Sequence, residues 1–175
     1  MADVKFTLRE FRREDFEILW RIDQQCFPPG IAYSRLELAT YIRRKGSFTL
    51  VAEAVPAKNE APANDRGADD AGRPRIAGFI VAETDRRGIG HIISIDVLAA
   101  SRRSGVGSQL LSAAEDRLRA IPCPNIVLET AVDNASALAF YKRHGYDVVK
   151  IIPHYYSNGV DAFVLEKELE QPSGG

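Results

Sequence analysis

The sequence predicts an α/β (α+β) domain on a mixed sheet, and two patterns carry that prediction. Segments of alternating or continuous apolar residues, read as strands, are interleaved with segments whose apolar residues recur at helical spacing. The resulting order is strand, helix, helix, three strands, helix, strand, helix, two strands. A length of 175 residues suits one domain, and 45% apolar residues suffice for one core. We expect that domain over residues 1–170 and a polar tail at 171–175.

Residues 4–9 alternate Val-Lys-Phe-Thr-Leu-Arg, as a half-buried strand does. Glu14 and Asp15 open a helix that carries Phe16, Leu19, Trp20 and Phe27 and stops at Pro28-Pro29-Gly30. Ser34-Arg35-Leu36-Glu37 is a capping box for a second helix, with Tyr33 and Leu38 placed for a hydrophobic staple and Gly46 as its end. Ser47 to Val55 and Arg75 to Thr84 read as strands. Between them, residues 56–75 hold three Pro, two Gly and no aromatic or β-branched residue, so a mobile loop is expected there. After the turn Arg86-Arg87-Gly88, Gly90 to Leu98 is nearly continuous in apolar residues and predicts a strand buried on both faces. A helix follows from about Ser104, with the stripe Val106, Leu110, Ala114, Leu118 and Ile121, stopped by Pro122. Asn125 to Val132 is a strand, and Asn134 caps a short helix ending in Lys142-Arg143-His144-Gly145. Tyr146 to Pro153 and Val160 to Lys167 complete the sheet.

Composition narrows the function. A net charge of −1 gives no global attraction to nucleic acid or to an anionic membrane, and neither is expected as a partner. The first ten residues lack the apolar core of a signal peptide, and no stretch reaches the ~20 apolar residues of a membrane span. Cys26 and Cys123 stand in no metal-ligand spacing; no metal is expected, and a reduced, cytoplasmic setting fits.

The chemically informative segment is Arg102-Arg103-Ser104-Gly105-Val106-Gly107, where a strand runs into a helix. The first turn of a helix presents free N–H groups to an anion, glycine lets a phosphate approach the backbone, and arginine adds charge-assisted bonds. A Walker loop is excluded because its Lys is missing, and a dinucleotide fingerprint because Leu110 stands at the third Gly. Taken alone, the turn reads either as an anion site or as a glycine-softened turn with surface arginines.

Arg102-x-x-Gly105-x-Gly107 after a buried strand resembles the cofactor motif of the GNAT acetyltransferase superfamily, and the order of elements from Val4 to Glu168 resembles that fold. Leu128-Glu129-Thr130-Ala131-Val132-Asp133-Asn134, followed by Phe140-Tyr141-Lys142-Arg143-His144-Gly145-Tyr146, is similar to the RimI-type ribosomal-protein alanine N-acetyltransferases and other protein N-terminal acetyltransferases. Cys26-Phe27-Pro28 and Tyr155-Tyr156 are similar to that group's peptide site. The resemblance implies a mostly antiparallel, seven-stranded sheet flanked by about four helices, with acetyl-CoA as cosubstrate. It implies a cofactor site of Asp96, Val97, Leu98, Arg102, Arg103, Ser104, Gly105, Val106, Gly107, Ser108 and Asn134. Glu129 becomes the general base and Tyr141 the acid for the departing thiolate; Phe27, Tyr33, His91, Tyr155 and Tyr156 fall on the substrate side.

Several of these residues keep a second reading. Glu129 is otherwise a surface acid of an edge strand, Tyr141 a core aromatic and Asn134 a helix cap. His91 is a second base candidate or a structural strand-end histidine. Asp96 departs from the small or apolar residue usual in the family, and a buried acid needs a partner: the substrate amine or a nearby Arg.

The implied reaction is acyl transfer from a thioester to an amine. An α-amine with a pKa of about 8 is roughly a tenth neutral at pH 7, whereas a Lys near about 10.4 is neutral in about one molecule in a few thousand. A modest carboxylate base therefore suits a protein or peptide N-terminus, a ribosomal protein among them, or a weakly basic small amine. A small-molecule acetyltransferase and a non-catalytic acyl-CoA-binding module are the alternatives. A monomer or weak homodimer is expected.

Overall fold

The computed structural model describes residues 4–55 and 75–170. The expected loop at 56–75, Arg75 excepted, and the tail at 171–175 lie outside the described residues. The strands are β1 (Phe6–Glu10), β2 (Ser47–Ala54), β3 (Arg75–Thr84), β4 (Gly90–Val97), β5 (Asn125–Ala131), β6 (Asp147–Ile152) and β7 (Ala162–Glu168). The helices are α1 (Phe16–Cys26), α2 (Arg35–Arg43), α3 (Val106–Arg119) and α4 (Ala135–Arg143). They form one seven-stranded sheet in the order β1-β2-β3-β4-β5-β7-β6, in which only β4 and β5 pair in parallel. The mixed, mostly antiparallel sheet with four helices is the expected architecture.

The sheet is packed on both faces. On one, α3 and α4 bury Val106, Leu110, Leu111, Ala114, Leu118 and Tyr141 against Leu50, Ile80, Ile92, Ile126, Leu128 and Leu165. On the other, α1 and α2 bury Leu19, Ile22 and Leu38 against Val51, Ile76, Phe79 and Val81. Local signals were accurate where a side chain bonds its own backbone. The Ser34 hydroxyl accepts from Glu37 N–H while Glu37 accepts from Ser34 N–H at 2.8 Å, and Asn134 Oδ1 accepts from Ala137 N–H at 3.1 Å.

Several expectations need correction. Helix α1 begins at Phe16, because Arg13–Asp15 form a 3₁₀ turn in which buried Asp15 accepts two hydrogen bonds from Arg9, at 2.7 and 2.9 Å. It ends before Phe27, whose backbone is extended. Ile121 lies beyond α3 and is 42% exposed, so the core-facing stripe stops at Leu118. Strand β4 is not buried on both faces along its length. Gly90, Ile92, Ser94 and Asp96 are buried, whereas His91, Ile93, Ile95 and Val97 are half-buried. Beyond Ile92, β4 no longer pairs with β5, which opens that edge of the strand.

Candidate active site

The β4–β5 ladder consists of only three pairs, Gly90↔Ile126, His91↔Val127 and Ile92↔Leu128. Beyond them β4 keeps pairing with β3 as far as Val97, and β5 with β7 as far as Ala131, so the two strands part while each remains anchored on its outer side. A bulge assists the parting: Ala82 pairs with Ile92 and Val81 with Ser94, which leaves Ile93 as the extra residue. The Tyr33 hydroxyl donates to the Ile93 carbonyl at 3.3 Å.

At the far end of β4 lies the glycine turn. Arg103 and Gly105 have left-handed backbones, at φ 63° and 83°, and Gly105 is the N-cap of α3. No side chain caps this helix, in contrast to α2 and α4. Its first-turn N–H groups thus have neither an intrahelical acceptor nor a side-chain cap. A Cβ built on Gly105 would meet nothing within 4 Å, so the space in front of the helix end is open. Arg102, Arg103 and Ser104 are exposed beside it; Arg102 Nε donates to the Val97 carbonyl at 3.1 Å, and the Ser104 hydroxyl to the Ser101 carbonyl. Ser108 is held by His144, the residue that follows α4. His144 Nδ1 lies 2.7 Å from the Phe140 carbonyl, which only accepts, so Nδ1 carries the hydrogen and Nε2 accepts from the Ser108 hydroxyl at 2.9 Å.

Glu129 is the first β5 residue past the last β4 pair. Its Oε2 lies 2.6 Å from His91 Nε2, and both side chains are half-buried. The two base candidates are thus one hydrogen-bonded pair. Tyr155 and Tyr156 stand close enough to feel the Glu129 charge: burial, then that charge, pushes the Tyr155 hydroxyl up to about 12, and burial, then Tyr155 and Glu129, raises Tyr156. Tyr33 joins this group through its neighbours Tyr41, Tyr155 and Tyr156. Phe27 is half-buried at the end of α1. The loop of residues 27–34 touches the β6–β7 connection, where Ser157 donates to the Gly30 carbonyl at 3.0 Å and a Cβ on Gly30 would lie 2.7 Å from Asn158. Glycine at φ 89° is required for that approach.

Tyr141 is buried in α4, its ring edge-on to Phe140 and Tyr146 at 5.2 and 5.7 Å. Burial pushes its hydroxyl well above the usual phenol range, with smaller contributions from Asp96 and Tyr156. It is therefore a neutral phenol, a donor rather than a base, at any pH where the protein works.

Of the predicted residues, His91, Glu129, Tyr155, Tyr156 and Tyr33 come together on the α1–α2 side of the β4–β5 opening, and the uncapped turn lies beyond the end of β4, whereas Tyr141 is buried in α4 and Asn134 caps that helix. Asp96 differs from expectation. Its side chain is fully buried toward α1 and meets Ser94 and Asp23, not an arginine. Two residues were missed. Tyr41 packs on Tyr33 at 5.2 Å, and its spacing of three residues from Leu38 on α2 was the available signal. Asp23 stands four residues after Leu19 on the buried face of α1, and an acid on an apolar stripe was the available signal.

Residues 16–146 match the Acetyltransferase (GNAT) family. The chain belongs to this family. A Saccharolobus solfataricus protein named N-alpha-acetyltransferase is 35% identical over 170 residues, 94% of this chain and 93% of its own. Three further relatives, from Methanocaldococcus jannaschii, Sulfurisphaera tokodaii and Sulfolobus acidocaldarius, are matched over 64%, 48% and 48% of their own lengths. Among solved structures, Ard1 from Thermoplasma volcanium superposes with a TM-score of 0.78 at 26% identity, over 96% of this chain and all of that one. A chain of the NatC complex bound to Gag peptide and CoA superposes with a TM-score of 0.72 at 26% identity, over 95% of this GNAT chain and 99% of that one. Among the described residues no helix is long and apolar enough to cross a membrane.

Proposed function

We propose that this GNAT protein transfers an acetyl group from acetyl-CoA to the α-amine of a protein or peptide N-terminus. The observation that carries the reading is the hydrogen-bonded His91–Glu129 pair at the point where β4 leaves β5, with an uncapped helix N-terminus beyond the end of the same strand. Acetyl-CoA supplies an acyl thioester. The N–H groups of Val106, Gly107 and Ser108, with Arg102 and Arg103, receive its pyrophosphate. The open space at Gly105 and the lack of a side-chain cap fit an anion there. Glu129 takes the proton from the attacking amine, directly or through one water, and His91 orients the carboxylate. Tyr141 donates a hydrogen bond to the departing sulfur.

The acceptor side favours a peptide. Tyr155 and Tyr156 offer rings with polar tips beside Glu129, and Tyr33 and Tyr41 adjoin them, a lining suited to backbone and apolar side chains. The relative named N-alpha-acetyltransferase and the NatC chain bound to peptide and CoA support the same reading. A ribosomal protein N-terminus is one member of the substrate class. Thiol release measured over a panel of peptides and a panel of small amines tests it. Turnover with peptides bearing a free α-amine, and none with the same peptides blocked, is expected; turnover only with small amines, or CoA binding without turnover, sinks it.

The turn has its own test. Gly105→Asn tolerates the left-handed backbone but sets a side chain over the first-turn N–H groups. We expect coenzyme A affinity by calorimetry to fall at least about tenfold, with helix content and melting unchanged. Wild-type affinity would move the pyrophosphate elsewhere.

A further inference from the structure

Asp23 on α1 and Asp96 on β4 are both fully buried, and each carboxyl lies within the electrostatic reach of the other. Asp23 Oδ2 accepts from Tyr33 N–H at 2.7 Å and from Gln24 Nε2 at 3.2 Å, and Asp96 Oδ1 accepts from the Ser94 hydroxyl. The other two oxygens, Asp23 Oδ1 and Asp96 Oδ2, have no donor. Ionised carboxylates only accept, so two of them cannot bond to each other without a proton. Neither acid forms an ion pair among the described residues, and the other groups facing the pair do not neutralise two charges. Glu37 of α2 adds negative charge; Tyr33 of the loop, Cys26 of α1 and Tyr141 of α4 are neutral; Arg102 is engaged with Cys26 and the Val97 carbonyl.

We propose that Asp23 and Asp96 share a single proton, and that this proton holds the loop of residues 27–34 against β4. The linkage is physical. Asp23 fixes the Tyr33 N–H; Trp20 Nε1 and Gln24 Nε2 fix the Tyr33 carbonyl at 3.2 and 2.7 Å; the Tyr33 hydroxyl reaches Ile93. Losing the proton sets two buried negative charges in contact at the junction of α1 with β4, and the loop that Asp23 holds moves off the strand. Only the loop's role as acceptor wall rests on the proposed acetyl transfer; the shared proton does not.

Burial, and the negative neighbours that each acid sees, raise both carboxyls above their ordinary range. The folded protein therefore binds a proton that the unfolded chain has released, and stability present at acid pH is lost as pH rises toward the folded value. Asp96→Asn supplies a permanent donor in place of that proton, and Asp23→Asn supplies it from the other side.

The test follows three readouts between about pH 5 and about pH 9, bracketing the loss of such a proton. The melting temperature of the wild type should fall relative to Asp96→Asn by at least about 3 °C as pH rises. Emission from Trp20, the single tryptophan, should titrate in the wild type and stay flat in the variant. The KM for a peptide acceptor, taken as the ratio of wild type to Asp96→Asn so that the acceptor's own titration cancels, should rise at least about fivefold as pH rises, with the KM for acetyl-CoA flat in both. Superimposable melting curves for wild type and both variants overturn the shared proton. A melting difference with Trp20 emission unresponsive to pH overturns the hold on the loop. Absence of acetylation of any peptide would remove the proposed activity, while melting and emission still decide the proton and the loop.

Discussion

Tyr141→Phe is expected to lower kcat about 100-fold while leaving coenzyme A affinity within about twofold. The ring of Tyr141 packs between Phe140 and Tyr146, and phenylalanine keeps both contacts, so α4 and the core around Leu110 and Leu165 should be unaffected. What is removed is one hydroxyl whose proton is held well above the ordinary phenol range by burial. Such a group does not hand its proton outright to a thiolate of pKa near about 8.5. It stabilises the sulfur by a charge-assisted hydrogen bond, strongest as the carbon–sulfur bond breaks. The loss belongs in kcat rather than in binding, because the thioester sulfur is a poor acceptor before charge develops on it. Single-turnover rates with a peptide acceptor, beside calorimetry with coenzyme A, separate the two quantities. An unchanged single-turnover rate would return Tyr141 to a purely structural role in the core.

How much of this site was legible in the sequence depends on the range of the interactions that make it. The capping box at Ser34, the Asn134 cap and the Gly145 stop are bonds within a few residues, and the residue types announce them. The turn at Gly105 was legible because left-handed backbone and open space both call for glycine. The parting of β4 from β5 was not. It depends on a one-residue bulge at Ile93 and on β5 following β7 instead, and a bulge leaves no mark in a run such as Ile92-Ile93-Ser94-Ile95. The parallel register that brings His91 to Glu129 joins positions 38 residues apart, so each read as a separate base candidate. Asp96 was visible as an anomaly, but its partner lies on α1, and no local pattern connects the two.

The His91–Glu129 pair makes the second large prediction, and it is a statement about coupling. Glu129→Gln keeps the side-chain shape and removes the proton acceptor. At neutral pH we expect kcat with a peptide acceptor to fall about 100-fold, with cofactor affinity unchanged. Such a variant leaves a base outside the enzyme as the only route for the amine proton, so its rate should climb with pH as the free amine fraction grows, parallel to the acceptor's own titration. His91→Gln should cost less, about tenfold, because it removes the group that orients the carboxylate and not the carboxylate itself. The double variant distinguishes a pair from two independent bases. If His91 acts only through Glu129, with the 2.6 Å contact as the link, it adds nothing once Glu129 is gone, and the double variant should match Glu129→Gln alone. Losses that instead multiply, to about 1,000-fold, would mean that His91 takes a proton in its own right.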